Sequence, residues 1–140
     1  SDAVDSVNQL PELRGEADKP PRDELVVLSN SPRHVSIRTE RWLYIPTQGA
    51  GGFAGNRWGQ HLISDVAAMK HTGQITSDVV DGQLKPDAPK VQLYDLITDP
   101  KQARNVANEH PEVVKQLQAR VEHYRTQIPD TKPVGWISQR

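Results

Sequence analysis

The chain has 140 residues, enough for one domain, but only 35% are hydrophobic, and 11 Pro with 9 Gly predict short elements around a thin core that leans on a neighbour. With 17 basic against 18 acidic side chains the net charge is −1, which offers no overall positive field for nucleic acid or anionic lipid. No cysteine is present, so this chain has no disulfide, thiolate metal site or cysteine nucleophile, and no apolar run reaches the roughly 20 residues of a membrane-spanning helix.

The first predicted element is a short helix over Asp5 to Gly15. Ser6 is of a capping type, Val7, Leu10 and Leu13 fall on one side, and Gly15 suits a left-handed stop. Pro11 limits this helix to little more than a turn on either side. Residues 16–22, with Lys19-Pro20-Pro21-Arg22, read as an extended connector, because each proline biases its predecessor away from helix. The acidic start Ser1-Asp2-Ala3-Val4-Asp5 has neither the basic nor the apolar region of a signal peptide.

Glu24 to Ser29 is a β-rich run, and His34 to Arg38 alternates with period two, placing Val35 and Ile37 on one face. Arg41 to Ile45 follows after Thr39-Glu40, so these last two runs are predicted to form a hairpin. Residues 47–90 are the least regular stretch, with five of the nine glycines between Gly49 and Gly59. A connection of that length inside a small domain is expected to be functional or disordered.

Val91 to Leu96 is the next strand, and Asp99-Pro100 has the residue types that start a helical turn. From His110-Pro111 onward, Val114, Leu117, Val121, Tyr124 and Ile128 recur at spacings of three and four, one buried stripe along a helix from Pro111 to Ile128. Glu112 with Lys115, and Glu122 with Arg125, are predicted to pair on its exposed side. Pro129 stops this helix and leaves 129–140 as a tail in which Trp136 and Ile137 are expected to dock. The expected fold class is α+β, a small antiparallel sheet of about four strands packed against the long C-terminal helix.

The run Leu93-Tyr94-Asp95-Leu96-Ile97-Thr98-Asp99-Pro100, followed by Asn105-Val106-Ala107 and His110-Pro111-Glu112, resembles the carboxyl-terminal signature of the sulfatase family. Ile37, Arg38, Trp42, Tyr44 and Ile45 match the family's hairpin, although its turn glycine is absent and Leu43 stands for the usual lysine; the leading helix and the Lys19 to Arg22 connector are also similar to the family's, with Ser6 where a glycine is usual. Gly51-Gly52-Phe53-Ala54-Gly55, Gly59-Gln60-His61, Thr72-Gly73-Gln74, Ser77-Asp78 and Leu84 to Pro89 look like a loop of bacterial sulfatases of the arylsulfatase A type.

The resemblance implies a leading helix and connector (1–23), a sulfatase C-terminal subdomain (24–128, with irregular loop 47–90) and a tail (129–140). The implied partner is a larger sulfatase catalytic domain, expected to carry the Ca2+ and the formylglycine. The implied substrate is a sulfated glycan or aryl sulfate, and the implied location is periplasmic or secreted.

The family's nucleophile motif is Cys or Ser, any residue, Pro, any residue, Arg, and no proline here has that setting. Ser31-Pro32-Arg33 imitates it in the wrong register, with Asn30 in the nucleophile's place and His34 in the arginine's. No catalytic and no metal-binding residue is therefore assigned in this chain, which is expected to be inactive alone. The candidate substrate contacts are Arg57, Trp58, His61 and Lys70, since Arg and Lys pair with sulfate and Trp offers a stacking face for a sugar. The same segment also reads as a solvated, variable loop, while Arg38 and Trp42 read as structural because they occupy sheet positions.

Other readings are weaker. Gly49-Ala50-Gly51-Gly52-Phe53-Ala54 fits a dinucleotide-binding pattern, but Gly55 to Gly59 is no helix start, and the motif requires a helix amino end facing pyrophosphate. His61, Asp65 and His71 lack a convincing geometry for a metal site. An alkaline-phosphatase-like phosphoesterase is disfavoured by the run from Leu93 to Glu112. The principal alternative is a free-standing glycan- or protein-binding module without catalysis.

Overall fold

The elements occur in the order α1 (Leu10–Leu13), β1 (Glu24–Leu28), β2 (Val35–Thr39), β3 (Trp42–Ile45), α2 (Met69–Thr72), β4 (Val79–Val80), β5 (Gln83–Leu84), β6 (Gln92–Asp95) and α3 (Pro111–Gln127). They belong to a computed structural model that describes residues 7–28, 35–49, 66, 69–73 and 75–127. The architecture is α+β. A four-stranded sheet in the order β1-β2-β3-β6 pairs antiparallel throughout, with a separate two-stranded sheet, β4-β5.

The register explains the core. Val26 lies opposite Ile37, Ile37 opposite Tyr44, and Tyr44 opposite Leu93, so one row of apolar side chains crosses the sheet on a single face. Val35, Ile37, Tyr44 and Leu93 are fully buried there, beneath Leu117 and Val121 of α3 and beside Val106 and Ala107. Each fully buried apolar side chain of this size contributes roughly 1.5–3 kcal/mol.

Pro111 suits the first position of α3 because that position needs no N–H donor, and the His110 carbonyl accepts the Val114 N–H at 3.1 Å. Glu24 at the start of β1 ties the helix to the far strand. Its Oε1 accepts the Tyr124 hydroxyl at 2.7 Å, and its Oε2 lies 2.9 Å from Arg120 Nε. Glu122 and Arg125 pair as expected, at 2.6 Å. Glu112 instead lies 3.5 Å from His110 Nδ1. Ile128 and the tail fall outside the described residues.

The hairpin between β2 and β3 turns without glycine. Neither Glu40 nor Arg41 takes a positive φ, and the Thr39 hydroxyl closes the turn by accepting the Trp42 N–H at 2.9 Å and donating to the Trp42 carbonyl at 3.3 Å. A threonine side chain thus supplies what a glycine turn supplies through its backbone.

Three expectations are corrected. The first helix is a single turn, Leu10–Leu13, with Pro11 in its first turn and Asn8 Oδ1 accepting the Leu10 N–H at 3.0 Å, while Gly15 stops it at φ +70. None of its residues is buried, so no apolar contact extends it, and Ser6 lies outside the described residues. Asp99-Pro100 forms a turn rather than a helical start. Gln102 N donates to the Asp99 carbonyl at 3.0 Å with Gln102 at φ +58, a left-handed residue that a helix cannot continue through. The stretch 47–90 is not irregular throughout, because it contains α2 and the β4-β5 hairpin. That hairpin turns on Asp81 and Gly82 with φ of +52 and +73, the pair of left-handed residues that a type I′ turn requires.

Candidate functional site

β6 stands at one edge of the sheet, yet Gln92, Leu93, Tyr94 and Asp95 are all buried. Leu93 faces the core beneath α3, and by alternation Gln92 and Tyr94 face the other way. The open edge of β6 is closed by the segment that follows it. Asn105 Oδ1 accepts the Leu93 N–H at 3.0 Å and Val106 N donates to the Leu93 carbonyl at 2.8 Å, which leaves that edge with no template for further pairing at this residue.

On the face away from α3 the polar side chains of β6 bind the ends of the long loop. Gln92 Nε2 donates to the carbonyls of Thr47 at 2.7 Å and Gly49 at 3.2 Å, where the chain leaves β3. Gln92 Oε1 accepts the Tyr94 hydroxyl at 2.7 Å. That bond uses the only proton of the tyrosine, so in the 3.3 Å contact between Tyr94 and Thr76 the threonine donates. Burial raises the Tyr94 pKa above its ordinary value, against the Thr76 hydrogen bond, which lowers it, and with the nearby Asp78 and Asp99 charges, which raise it further. The hydroxyl therefore remains protonated and able to donate at neutral pH.

Where the loop returns, Asn105 uses its whole side chain. Its Nδ2 donates to Asp78 Oδ2 at 2.6 Å and the Val91 carbonyl at 3.0 Å, and its Oδ1 also accepts the Ala107 N–H at 3.1 Å. The Asn105 N–H donates to Ser77 Oγ at 2.9 Å, Ser77 Oγ donates to Asp78 Oδ1 at 3.1 Å, and Ser77 N donates to the Ala103 carbonyl at 2.7 Å. Gln48 Nε2 adds a tie from the departing end to the Ala88 carbonyl at 2.9 Å. Gly49 lies at φ +62, and a Cβ there would stand 2.7 Å from Val66 Cγ2, so glycine is required by conformation and by space.

A second polar cluster closes the end of β6. Arg41 Nη2 and Nε lie 3.0 and 3.3 Å from Asp95 Oδ2, and the guanidinium sits 4.8 Å from the centre of the Trp42 ring. The Trp42 and His110 rings are 5.0 Å apart. The Arg41 hydrogen bond holds the Asp95 carboxyl below its ordinary pKa, helped by the Ile97 and Thr98 N–H groups against the opposing effect of burial.

Both clusters spend their donors and acceptors within the chain, which makes them devices for holding rather than for reaction. The Ser77 hydroxyl that donates to Asp78 also accepts the Asn105 N–H, and the Asp78 carboxylate also takes the Asn105 amide, so this pair is part of the same holding network. Among the described residues no group of three or more His, Cys, Asp or Glu could hold a metal ion, and no described helix is long and apolar enough to cross a membrane. Arg57, Trp58 and His61 lie outside the described residues, as do Asp65 and the Ser31-Pro32-Arg33 run, and Lys70 falls in α2. His71, also in α2, is exposed. The residues that organise the loop ends (Gln92, Tyr94, Thr76, Asp78 and Asn105) are not among those the sequence selects as ligand contacts. Tyr94 and Asn105 stand in the signature run, and Gln92 carries no sequence signal.

The sheet face away from α3 is only partly covered. Leu25 and Val27 on β1 point to this face, opposite Arg38 and Ser36, and are 50% and 42% exposed; Leu43 and Ile45 of β3 share it and are half-buried.

No protein-family model matches the chain, and neither does any curated protein. Solved structures do match, 13 chains in number. One is a sulfatase of Bacteroides thetaiotaomicron, the 6S-sulf protein of a core genetic locus that orchestrates the metabolism of multiple glycosaminoglycans. It superimposes with a TM-score of 0.54 at 26% identity, covering 89% of this chain and 20% of that one. The present chain thus spans a minor part of that protein's length, and its fold is sulfatase-related.

Proposed function

We propose that the chain is the carboxyl-terminal subdomain of a sulfatase acting on sulfate esters of a glycan, or else of an aryl sulfate. In this reading it completes the enzyme's fold and forms part of the rim of the substrate pocket. The observation that carries the proposal is the superposition of 89% of the chain on 20% of a solved sulfatase.

Sulfate ester hydrolysis requires attack on a sulfur surrounded by negative oxygens, so a nucleophile, a metal and cationic donors must converge on it. These parts, formylglycine and Ca2+ among them, are assigned to the catalytic domain, outside the present residues. The subdomain supplies a scaffold. Its sheet has one face filled by α3, and the other, with Leu25 and Val27 half exposed, is assigned to contact with the catalytic domain, where burial is worth roughly 25 cal/mol per Å² of apolar surface. The loop after β3 is assigned to the rim. There Arg57, His61 and Lys70 contribute donors to sulfate and Trp58 a stacking face for the sugar. The periplasm or the medium, where glycan polymers are met, is the proposed location.

The full-length protein bearing this chain, matured to formylglycine, is expected to release sulfate from sulfated glycosaminoglycan oligosaccharides in a metal-dependent reaction. The chain alone is expected to release none. Turnover by the isolated chain would move the chemistry into these residues, and a matured full-length protein inert toward both glycan and aryl sulfates would sink the reading. Alanine at Arg57, Trp58 or His61 is expected to raise KM with little change in kcat.

A further inference from the structure

We propose that Gln92, Tyr94, Thr76 and Asn105 form a positioning clasp for the substrate rim, with the Tyr94 hydroxyl as a direct side-chain link between its two halves. The functional part of this inference rests on the reading of the loop after β3 as part of the pocket wall. The structural part stands on contacts among described residues.

Each end of the loop has its own set of ties. The departing end is held by Gln92 through the Thr47 and Gly49 carbonyls and by Gln48 through the Ala88 carbonyl. The returning end is held by Asn105 through Asp78 and Ser77, and by the Ala103 carbonyl through the Ser77 N–H. Between these halves runs the relay from Thr76 through the Tyr94 hydroxyl to Gln92 Oε1, at 3.3 and 2.7 Å. Removing that oxygen would leave every other tie in place. It would loosen the coupling of the ends, which β6 and the Gln48 bond to the Ala88 carbonyl still join, without dissolving either.

The neck is built largely of buried polar groups. Among the described residues the buried polar ones are Thr76, Asp78, Gln92 and Asp95; Thr76 and Gln92 belong to the clasp, and Asp78 is bonded to its Asn105. Burial of polar groups is costly unless they are paired, and a fully paired network is directional where apolar packing is not. A neck built this way fixes the orientation of what it carries. Gly49 adds to the constraint, since its left-handed backbone and its approach to Val66 leave no room for a side chain there.

The test compares Tyr94→Phe and Thr76→Val, which cut the same link from opposite sides, in the full-length protein. Tyr44→Phe serves as control, because that hydroxyl is buried in the core and has no partner among the described residues. Both clasp variants are expected to raise KM for a sulfated glycosaminoglycan oligosaccharide about fivefold, the equilibrium worth of one neutral hydrogen bond, with kcat unchanged. Amide hydrogen exchange is expected to quicken at Thr47 to Gly49 and at Ile75 to Val79, and to remain unchanged along α3. Unchanged KM in both variants would overturn the positioning role, and so would exchange that quickens equally in α3 or stays unchanged at the neck. The exchange measurement needs no turnover, so failure of the clasp and failure of the sulfatase reading are observed separately.

Discussion

Asn105 and Asp78 meet at 2.6 Å between Nδ2 and Oδ2, joining the segment after β6 to the returning end of the long loop. A bond to an ionised acceptor is stronger than a neutral one, and this Asn also satisfies the Leu93 and Ala107 N–H groups and the Val91 carbonyl. Asn105→Ala strands several partners at once and is expected to cost about 3 kcal/mol of stability, measured as a lower urea midpoint. A change within a few tenths of a kcal/mol would show that water replaces the side chain at little cost.

Asp95 contributes to stability toward acid. Its carboxyl is held below the ordinary 3.8, first by the Arg41 hydrogen bond, so the corresponding stability is present above that value and is lost as pH falls through the lower folded value. Arg41→Gln is expected to move the Asp95 titration upward and to shift the acid limb of the stability profile to higher pH. Carboxyl carbon NMR titration reads the first effect and urea unfolding across pH the second. The Arg41 side chain is 53% exposed, so added salt is expected to weaken the contrast.

Tyr44 places a hydroxyl in the core with no partner among the described residues, and burial pushes its pKa up. Tyr44→Phe is expected to leave the fold intact and to gain about 1 kcal/mol, because a desolvated unpaired group is removed while the ring remains. A loss in urea unfolding would indicate that the hydroxyl is satisfied in solution. Tyr94 and Tyr124 are also pushed up, the first mainly by burial and the second mainly by its bond to Glu24. All three resist ionisation when folded, so stability is expected to fall as pH rises past 10, with tyrosinate absorbance appearing together with unfolding.

Leu25 and Val27 test the proposed contact with the catalytic domain. Asp at both positions is expected to leave the stability of the isolated chain within about 1 kcal/mol, as is usual for exposed sites away from special features. In the full-length protein the same pair is expected to lower the yield of folded enzyme or its unfolding temperature by several degrees. Equal behaviour in both settings would mean that this face meets no partner.

Much of the sheet and helix is legible in the sequence, because periodicity reports burial directly. Period two identifies β2 and the burial of Val35 and Ile37, and spacings of three and four give α3 with Leu117 and Val121 inward. Asp99-Pro100 misleads because caps and turns use the same residue types, and only the left-handed Gln102 decides between them. The β4-β5 hairpin carries a readable Asp-Gly signal, but its two-residue strands are too short to show alternation. Although Tyr94 and Asn105 stand in the signature run, the contacts of the clasp are not legible. Its contacts join Gln92 and Tyr94 to residues 18 and 45 positions away, and strand register, rather than local pattern, brings them together. Arg57, Trp58 and His61 are picked out by chemical type, and their geometry falls outside the described residues.

Gly49 and Thr76, near the two ends of the long loop, are both held by side chains of one strand, β6. Closing a connection twice as long adds only about 0.6 kcal/mol, so inserts of unlike length can be grafted between these two splice points. Swapping that cassette between relatives is a route by which one scaffold could acquire new specificities while its hydrophobic centre stays untouched.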